Sequence, residues 1–184
     1  DGVERVDSYL FNPHKWLLTN FDCSTLWVRN RAALTETLSI VPEYLRTAQS
    51  EAGEVVDFRD WQVPLGRRFR ALKLFFVMRH YGLAGLRDHI RTGIADATWL
   101  EEAIVAHPAL ELVAPRSLAL VCFAHVDGDD ATGRLLEAIA DDPRYLCTRT
   151  VAAGRVAVRV AVGSPRTTRA TIEEFWAFLV AAAA

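Results

Sequence analysis

The residue best suited to chemistry in this sequence is a lysine that lies between a turn signal and an apolar run. Lys15 follows Asn12-Pro13-His14 and precedes Trp16-Leu17-Leu18. Asn-Pro favours a turn, and apolar neighbours would remove water from the ammonium group. A poorly hydrated lysine has a lowered pKa, and its neutral amine attacks carbonyl carbons to form Schiff bases. The alternative is a lysine that reaches solvent from the edge of a strand.

Two polar side chains lie beside this lysine in the sequence. His14 is adjacent to it, and adjacent side chains in a strand or turn point in different directions. The histidine is therefore either a structural residue bonded to backbone or a group that exchanges protons near neutral pH. Asn12 precedes a proline, where asparagine often serves only to shape a turn.

A pair of short strands would hold the lysine turn. Residues 6–11 predict a short buried strand, and the β-rich residues 23–28 predict the next one, antiparallel or neighbouring to the first. Residues 32–38 predict a helical turn. Residues 42–58 predict a long loop, and a loop of this length in a compact domain is usually functional or mobile.

A long helical pattern follows this loop. Residues 64–68 predict the start of a helix, because apolar residues recur at helical spacing from Phe69 onward. Gly82 is expected to end or bend this helix. A second amphipathic stripe then runs to a stop at Pro108, and its members are Leu83, Leu86, Ile90, Ile94, Ala97 and Ile104. These signals place a domain boundary near residue 107.

The remaining residues predict a small α+β domain with the order β-α-β-β-α. The apolar residues 117–126 predict a buried strand, and residues 145–151 and 156–162 predict two more strands. Thr171 and Glu174 have the spacing of a capping box at the start of the last helix. An antiparallel sheet with helices on one face satisfies this order.

Composition narrows the class of protein. The chain has 184 residues, of which 51% are hydrophobic, and a formal net charge of −2. This composition excludes a disordered chain and gives no reason to expect a nucleic-acid partner. No apolar run is long enough to span a bilayer, and no signal peptide is expected at the start. The three cysteines follow no disulfide or zinc pattern and are expected to be core residues in a reducing cytoplasm.

Two blocks of sequence resemble one enzyme family. Residues 7–18 read DSYLFNPHKWLL and are followed by FDCS at residues 21–24, whereas residues 60–73 read DWQVPLGRRFRALK. Both blocks resemble the pyridoxal-phosphate-dependent group II decarboxylases, and the aromatic-L-amino-acid decarboxylases most of all. The resemblance extends from about residue 7 to residue 90 and is a pattern-level match beyond.

The resemblance implies an α/β fold, the C-terminal part of the aspartate-aminotransferase-like (fold type I) fold of PLP-dependent transferases. Residues 1–107 would be the end of the large cofactor-binding domain, with the catalytic lysine, a lid loop and a long linking helix. Residues 108–184 would be a small C-terminal α+β domain. Family members are far longer, so a histidine that stacks on the cofactor and an aspartate that pairs with its pyridine nitrogen are expected upstream.

The same resemblance assigns the polar residues of the first block to the cofactor. Lys15 would form the Schiff base with pyridoxal 5'-phosphate and later be displaced by the substrate amine. His14 would lie near the cofactor phosphate and the substrate, where it could handle protons. Asn12 would hydrogen-bond the phosphate. No metal site is implied.

Further residues are assigned to the substrate. Tyr44 would lie in a lid loop and give a proton to the substrate α-carbon after CO2 leaves; family members with phenylalanine here tend to make aldehydes, so tyrosine favours plain decarboxylation. Phe21 and Gly66 match positions that shape the aromatic-substrate pocket, although core packing and a helix-entry turn explain them equally well. A glycine there leaves room for a bulky, indole-like ring. Arg67 and Arg68 could bind a carboxylate or phosphate, or lie at the surface.

The implied activity is the PLP-dependent decarboxylation of an aromatic L-amino acid to its amine and CO2. Three alternatives stay open: a group II decarboxylase for another amino acid such as glutamate or histidine, a PLP-dependent aromatic aldehyde synthase, or a non-catalytic fragment that contributes only structural and dimer contacts. The expected partners are a small-molecule amino-acid substrate, the upstream portion of the same enzyme and a second copy in a cytoplasmic homodimer. Neither nucleic acid nor a membrane is expected as a partner.

Overall fold

The computed structural model describes residues 2–40 and 55–183. The chain forms two compact units, Asp1–His80 and Tyr81–Ala184. The domain boundary expected near residue 107 stays a prediction. Among the described residues, no helix combines the length and the apolar character needed to cross a membrane.

The first unit is built around a two-stranded antiparallel ribbon. Its regular elements in chain order are a 3-10 turn Val3–Arg5, β1 Ser8–Phe11, α1 Pro13–Trp16, β2 Thr25–Val28, α2 Arg31–Leu38 and a 3-10 turn Phe58–Trp61. β1 pairs with β2 from Ser8 opposite Val28 to Phe11 opposite Thr25. The predicted pair of neighbouring strands is therefore confirmed.

The predicted burial of the first strand is wrong for the described residues. Tyr9 and Leu10 are 49% and 60% exposed, and Leu26 and Trp27 on the partner strand are 55% and 66% exposed. β1 pairs with β2 alone in a two-stranded sheet, so within the described parts of the chain no second layer covers these apolar side chains.

The segment after the ribbon begins with a capped helix. The Asn30 side chain accepts a hydrogen bond from the Ala33 amide at 3.1 Å, which satisfies one of the unpaired donors of the first turn of α2. The predicted helical turn over residues 32–38 is confirmed as a helix of two turns. Most of the predicted loop over residues 42–58 lies outside the described residues.

α3 spans Arg70–Val105 and is interrupted at Gly82, where φ is 65° and ψ is 174°. A positive φ with extended ψ is open to glycine at little steric cost, and the expected bend is confirmed. The helix begins two residues after the predicted start at residues 64–68, which form no helix. Beyond the bend, Leu86, Ala97 and Ile104 of the predicted stripe are buried, whereas Leu83 is 61% exposed.

The second unit contains a four-stranded antiparallel sheet with strand order β3-β4-β6-β5. Its elements after α3 are β3 Leu110–Ser117, β4 Leu120–His125, α4 Asp129–Asp141, β5 Thr148–Ala152, β6 Arg155–Ala161 and α5 Arg169–Ala182. The core includes Phe123 and Val121 of the sheet together with Leu135, Ile139 and Leu179 of the helices, all at most 2% exposed. Burying each such side chain stabilises the unit by about 1.5–3 kcal/mol.

Two features of this unit differ from the predictions. The observed order is β-β-α-β-β-α, whereas the predicted order β-α-β-β-α lacked β3. Pro115 lies in β3 and cannot donate to a ladder, but β3 is an edge strand with register shifts on both sides of Ala114, which accommodates the proline. The capping box of α5 is formed by Thr168 with Thr171, not by Thr171 with Glu174, because the helix begins at Arg169.

Candidate active site

Lys15 lies in a single helical turn that follows β1. Pro13 opens this turn at a position where its missing N–H costs nothing, and the Lys15 amide donates to the Asn12 carbonyl at 3.0 Å. The Lys15 side chain is exposed. The prediction of apolar walls against this lysine is therefore wrong for the described residues, which leave its amine accessible to an aldehyde.

His14 ties this turn to the segment that leads into β2. Its Nδ1 atom lies 2.7 Å from the Cys23 carbonyl oxygen and 3.0 Å from the Cys23 amide nitrogen, and its own amide donates to the same carbonyl at 3.3 Å. Nδ1 either accepts from the amide or, when protonated, donates to the carbonyl. Within residues 2–40 and 55–183, Nε2 has no hydrogen-bond partner, so one ring nitrogen is structural and the other is left for a ligand.

Asn12 and Phe21 flank the histidine turn. The Ser24 hydroxyl donates to the Asn12 side-chain oxygen, which brings a second polar residue to the cap of the lysine turn. The Phe21 ring meets the His14 ring edge-on at a centroid distance of 5.0 Å, yet Phe21 is 83% exposed. Phe21 is therefore not a core residue in the described structure.

Asp22 and Arg70 form an ion pair between the segment after the lysine turn and the first residue of α3. Nε and Nη2 of Arg70 both lie 2.9 Å from Oδ2 of Asp22. The hydrogen bond from Arg70 holds the pKa of the Asp22 carboxyl below its usual value. Cys23, which is 2% exposed, places its Sγ atom 3.9 Å from the Arg70 carbonyl oxygen.

A cleft of about 580 Å³ lies beside this ion pair. Gly66 lines it, and a Cβ atom added there would meet no atom of the described residues within 4 Å. Arg67, which donates to the Gln62 side chain at 3.2 Å, and Arg68 line the same cleft. The other lining residues are Asp22, Ser24, Leu26, Leu34, Leu38, Trp61, Gln62, Val63, Pro64 and Arg70.

The structure groups some predicted site residues and separates others. Asn12, His14 and Lys15 share one turn, whereas Gly66 lines a cleft to which none of those three contributes. Tyr44 lies outside the described residues. Sequence reasoning assigned no role to Asp22, Ser24 or Arg70 and expected Cys23 only as a core residue, although all four belong to the two blocks that carry the family resemblance.

Arginine side chains make a cation–π contact and two ion pairs at and next to the cleft wall that contains Trp61. The Arg31 guanidinium lies over the Trp61 ring at 5.1 Å from its centroid. Arg59 pairs with Asp57 at 3.2 Å and with Asp60 at 3.6 Å. Among the described residues, no group of three histidine, cysteine, aspartate or glutamate side chains could hold a metal ion.

The chain is similar in sequence to known proteins over nearly its whole length. The chain is 44% identical over 183 residues to tyrosine decarboxylase 2 of Narcissus pseudonarcissus, with 96% of this chain covered and 37% of that protein. It is 43% identical to phenylacetaldehyde synthase of Arabidopsis thaliana, over the same shares of the two chains. The chain therefore spans 37% of the length of these curated relatives.

A solved structure carries the same fold. The crystal structure of Oryza sativa TDC with PLP and tryptamine matches all of this chain and 40% of its own, with a TM-score of 0.94 and 41% identity. The predicted fold class, the C-terminal part of the fold type I architecture, is confirmed by this similarity.

The profile of one conserved domain covers the lysine turn, the ribbon and the cleft together. Residues 1–126 match the pyridoxal-dependent decarboxylase conserved domain. This match spans more than half of the chain and includes every residue of the candidate site described above. The chain thus belongs to the family of pyridoxal-dependent decarboxylases.

Proposed function

We propose that the intact protein decarboxylates an aromatic L-amino acid to the corresponding amine and CO2, using pyridoxal 5'-phosphate held by Lys15. The observation that carries this proposal is the accessible Lys15 amine on a turn fixed to Cys23 through His14. The names of the relatives support the substrate class, because they include a tyrosine decarboxylase and a tryptophan decarboxylase.

The donor set of the turn fits this cofactor. An aldehyde needs a primary amine that it can reach, and the Lys15 side chain is exposed. A phosphate needs hydrogen-bond donors, and the Asn12 side-chain NH2 group at the start of the same turn can donate, because the Asn12 oxygen accepts from the Ser24 hydroxyl. His14 keeps its Nε2 atom available beside it. These three residues would hold the group, and the histidine and aspartate expected upstream would complete its site.

The bound cofactor would supply an electron sink for the electron pair that departing CO2 leaves on the α-carbon. Lys15 would hold it covalently until the substrate amine takes its place. Nε2 of His14 would bind or move a proton at the substrate, as a general acid or base does. The Tyr44 hydroxyl would donate the proton that replaces CO2 on the α-carbon, and the loop around it would exclude water.

The open position at Gly66 supports an aromatic substrate. Among the described residues, no atom lies within 4 Å of a Cβ atom built there, so this part of the cleft wall leaves space for a bulky ring. We further propose that the protein works as a homodimer in the cytoplasm, as the family resemblance implies.

Product analysis tests this function. The intact protein, loaded with pyridoxal phosphate, is incubated separately with tryptophan, tyrosine, DOPA and glutamate, and products are identified by mass spectrometry. We expect aromatic amines and CO2, and no activity in a Lys15→Ala control. Release of 4-aminobutyrate from glutamate alone would overturn the aromatic assignment.

A second candidate is an aromatic aldehyde synthase, and the similarity to a phenylacetaldehyde synthase supports it. The same assay separates the two functions, because the synthase yields an aldehyde instead of an amine from an aromatic amino acid. The hydroxyl of Tyr44 favours the amine.

A further inference from the structure

We propose that Asp22 and Arg70 are positioning residues for Lys15, acting through Cys23 and His14. This inference rests on the proposed function, since it concerns how the chain orients the amine that would hold the cofactor. Neither residue contacts Lys15 in the described structure, so their effect would be transmitted through the hydrogen bonds between Cys23 and His14.

The first link is the ion pair itself. Two nitrogens of the Arg70 guanidinium converge on one oxygen of Asp22, each at 2.9 Å, and this limits the directions that the carboxylate can take. The Arg70 side chain is 26% exposed and the Asp22 side chain is 38% exposed, so the pair is partly shielded from water. Asp22 and Arg70 are thereby held together across 48 positions of sequence.

The second link runs from Asp22 to its neighbour Cys23. The Cys23 side chain is buried at 2% exposure, and its Sγ atom lies 3.9 Å from the Arg70 carbonyl oxygen. Arg70 thus contacts the segment twice, through its side chain at Asp22 and through its backbone at Cys23. The Cys23 backbone is consequently fixed relative to the first turn of α3.

The third link joins Cys23 to the lysine turn. Both backbone polar groups of Cys23 lie within 3.0 Å of Nδ1 of His14, and the His14 amide donates to the Cys23 carbonyl. His14 and Lys15 are adjacent in α1, a helix of only four residues. Such a short helix has little stability of its own, so its orientation depends on these outside contacts.

Partly exposed ion pairs contribute little to global stability. Placement of a reacting group is far more sensitive, because a displacement of about 1 Å can cost about a hundredfold in rate. Loss of the Asp22–Arg70 pair should therefore impair cofactor attachment and turnover more than it impairs folding.

The experiment uses the intact protein with Asp22→Asn, Arg70→Gln and Arg70→Lys variants. Each is incubated with pyridoxal phosphate and reduced with borohydride, and the fraction of Lys15 carrying the reduced cofactor is measured by peptide mass spectrometry. The melting temperature, kcat and KM are recorded in parallel. The matched control is Asp142→Asn, which removes another Asp–Arg pair, at 2.6 Å, far along the chain.

We expect Asp22→Asn and Arg70→Gln to lower labelling of Lys15 and kcat about tenfold, with KM and melting temperature close to those of the wild type. Arg70→Lys should recover part of the labelling because it keeps the charge, and Asp142→Asn should match the wild type. Labelling and kcat at wild-type levels in both Asp22→Asn and Arg70→Gln would overturn the positioning role. If the wild type itself shows no label at Lys15, the proposed function fails, and the positioning role fails with it.

Discussion

Nδ1 of His14 lies 2.7 Å from the carbonyl oxygen and 3.0 Å from the amide nitrogen of Cys23. This contact holds the turn that carries Lys15 against the segment leading into β2. It uses one ring nitrogen of the histidine for structure and leaves the other for chemistry. Substitutions at His14 can therefore separate the two roles.

His14→Asn should separate the structural role of Nδ1 from the chemical role of Nε2 most clearly. An asparagine amide can occupy the place of Nδ1 and keep the contact with Cys23, but it has no group at the place of Nε2. We expect His14→Asn to retain cofactor on Lys15 and to lose turnover by about a hundredfold, the usual contribution of a general acid or base. His14→Ala should lose both the cofactor on Lys15 and turnover. Reduction with borohydride followed by steady-state kinetics measures the two effects, and normal turnover in His14→Asn would exclude a catalytic Nε2.

Removal of the Lys15 amine should abolish the covalent link while leaving the fold intact. The side chain is exposed and makes no described contact that stabilises the turn, so we expect Lys15→Ala to melt close to the wild type. We expect no reducible link to pyridoxal phosphate and essentially complete loss of activity. Absorbance spectra and thermal melting together check this, and a Lys15→Ala protein with wild-type activity would contradict the proposed role.

A change of product is expected from Tyr44→Phe. This substitution removes the hydroxyl proposed to protonate the α-carbon and keeps the ring. In air-saturated buffer the amine should fall by at least about tenfold, and aldehyde should appear in its place. Dissolved O2 would take the two electrons to give H2O2, and water would release the nitrogen as ammonia. Chromatography of the products from an aromatic amino acid measures the ratio. An unchanged amine yield would show that another group supplies the proton.

The ion pair between Asp96 and Arg169 should matter for folding. Asp96 is 4% exposed, and its Oδ1 atom accepts from Nη2 of Arg169 at 2.9 Å, while the guanidinium lies 5.3 Å from the centroid of the Trp99 ring. Arg169→Met would leave a buried carboxylate without this donor, at a cost of about 1–3 kcal/mol. Denaturant unfolding measures this loss in the free energy of unfolding.

The control for this prediction is Arg144→Met. Arg144 has a side chain that is 64% exposed and pairs with Asp142 at 2.6 Å, so its loss should lower the free energy of unfolding much less than Arg169→Met does. Equal effects of the two substitutions would mean that burial of Asp96 does not determine the loss of stability.

Cys147 should resist alkylation near neutral pH. Burial raises the pKa of its thiol from 9.0 to about 11. Because the thiolate is the nucleophile, this higher pKa lowers the reactive fraction of the thiol about a hundredfold at pH 8. Labelling with iodoacetamide should be correspondingly slower in the native protein than in the urea-unfolded protein and should accelerate as pH rises toward 11. Equal rates in the two states would contradict the raised pKa.

Local signals predicted a large share of the fold. The pairing of β1 with β2, the bend at Gly82 and the end of α3 before Pro108 all depend on residues close in sequence, and all three are confirmed. β3 was not predicted. It contains Pro115, a local signal against a strand, and the edge position of β3 makes that proline acceptable. Tertiary context thus overrode a local signal.

By itself, the sequence determined the family, the lysine that would carry the cofactor and the turn on which that lysine lies. These depend on residue types at short spacing, which a linear pattern records. Only the tertiary structure decided that Nδ1 of His14 is bound to Cys23, that Arg70 reaches Asp22 across 48 positions, and that Lys15 is exposed within the described residues. Contacts between distant residues depend on how the chain folds back on itself, and that information is not contained in any local spacing.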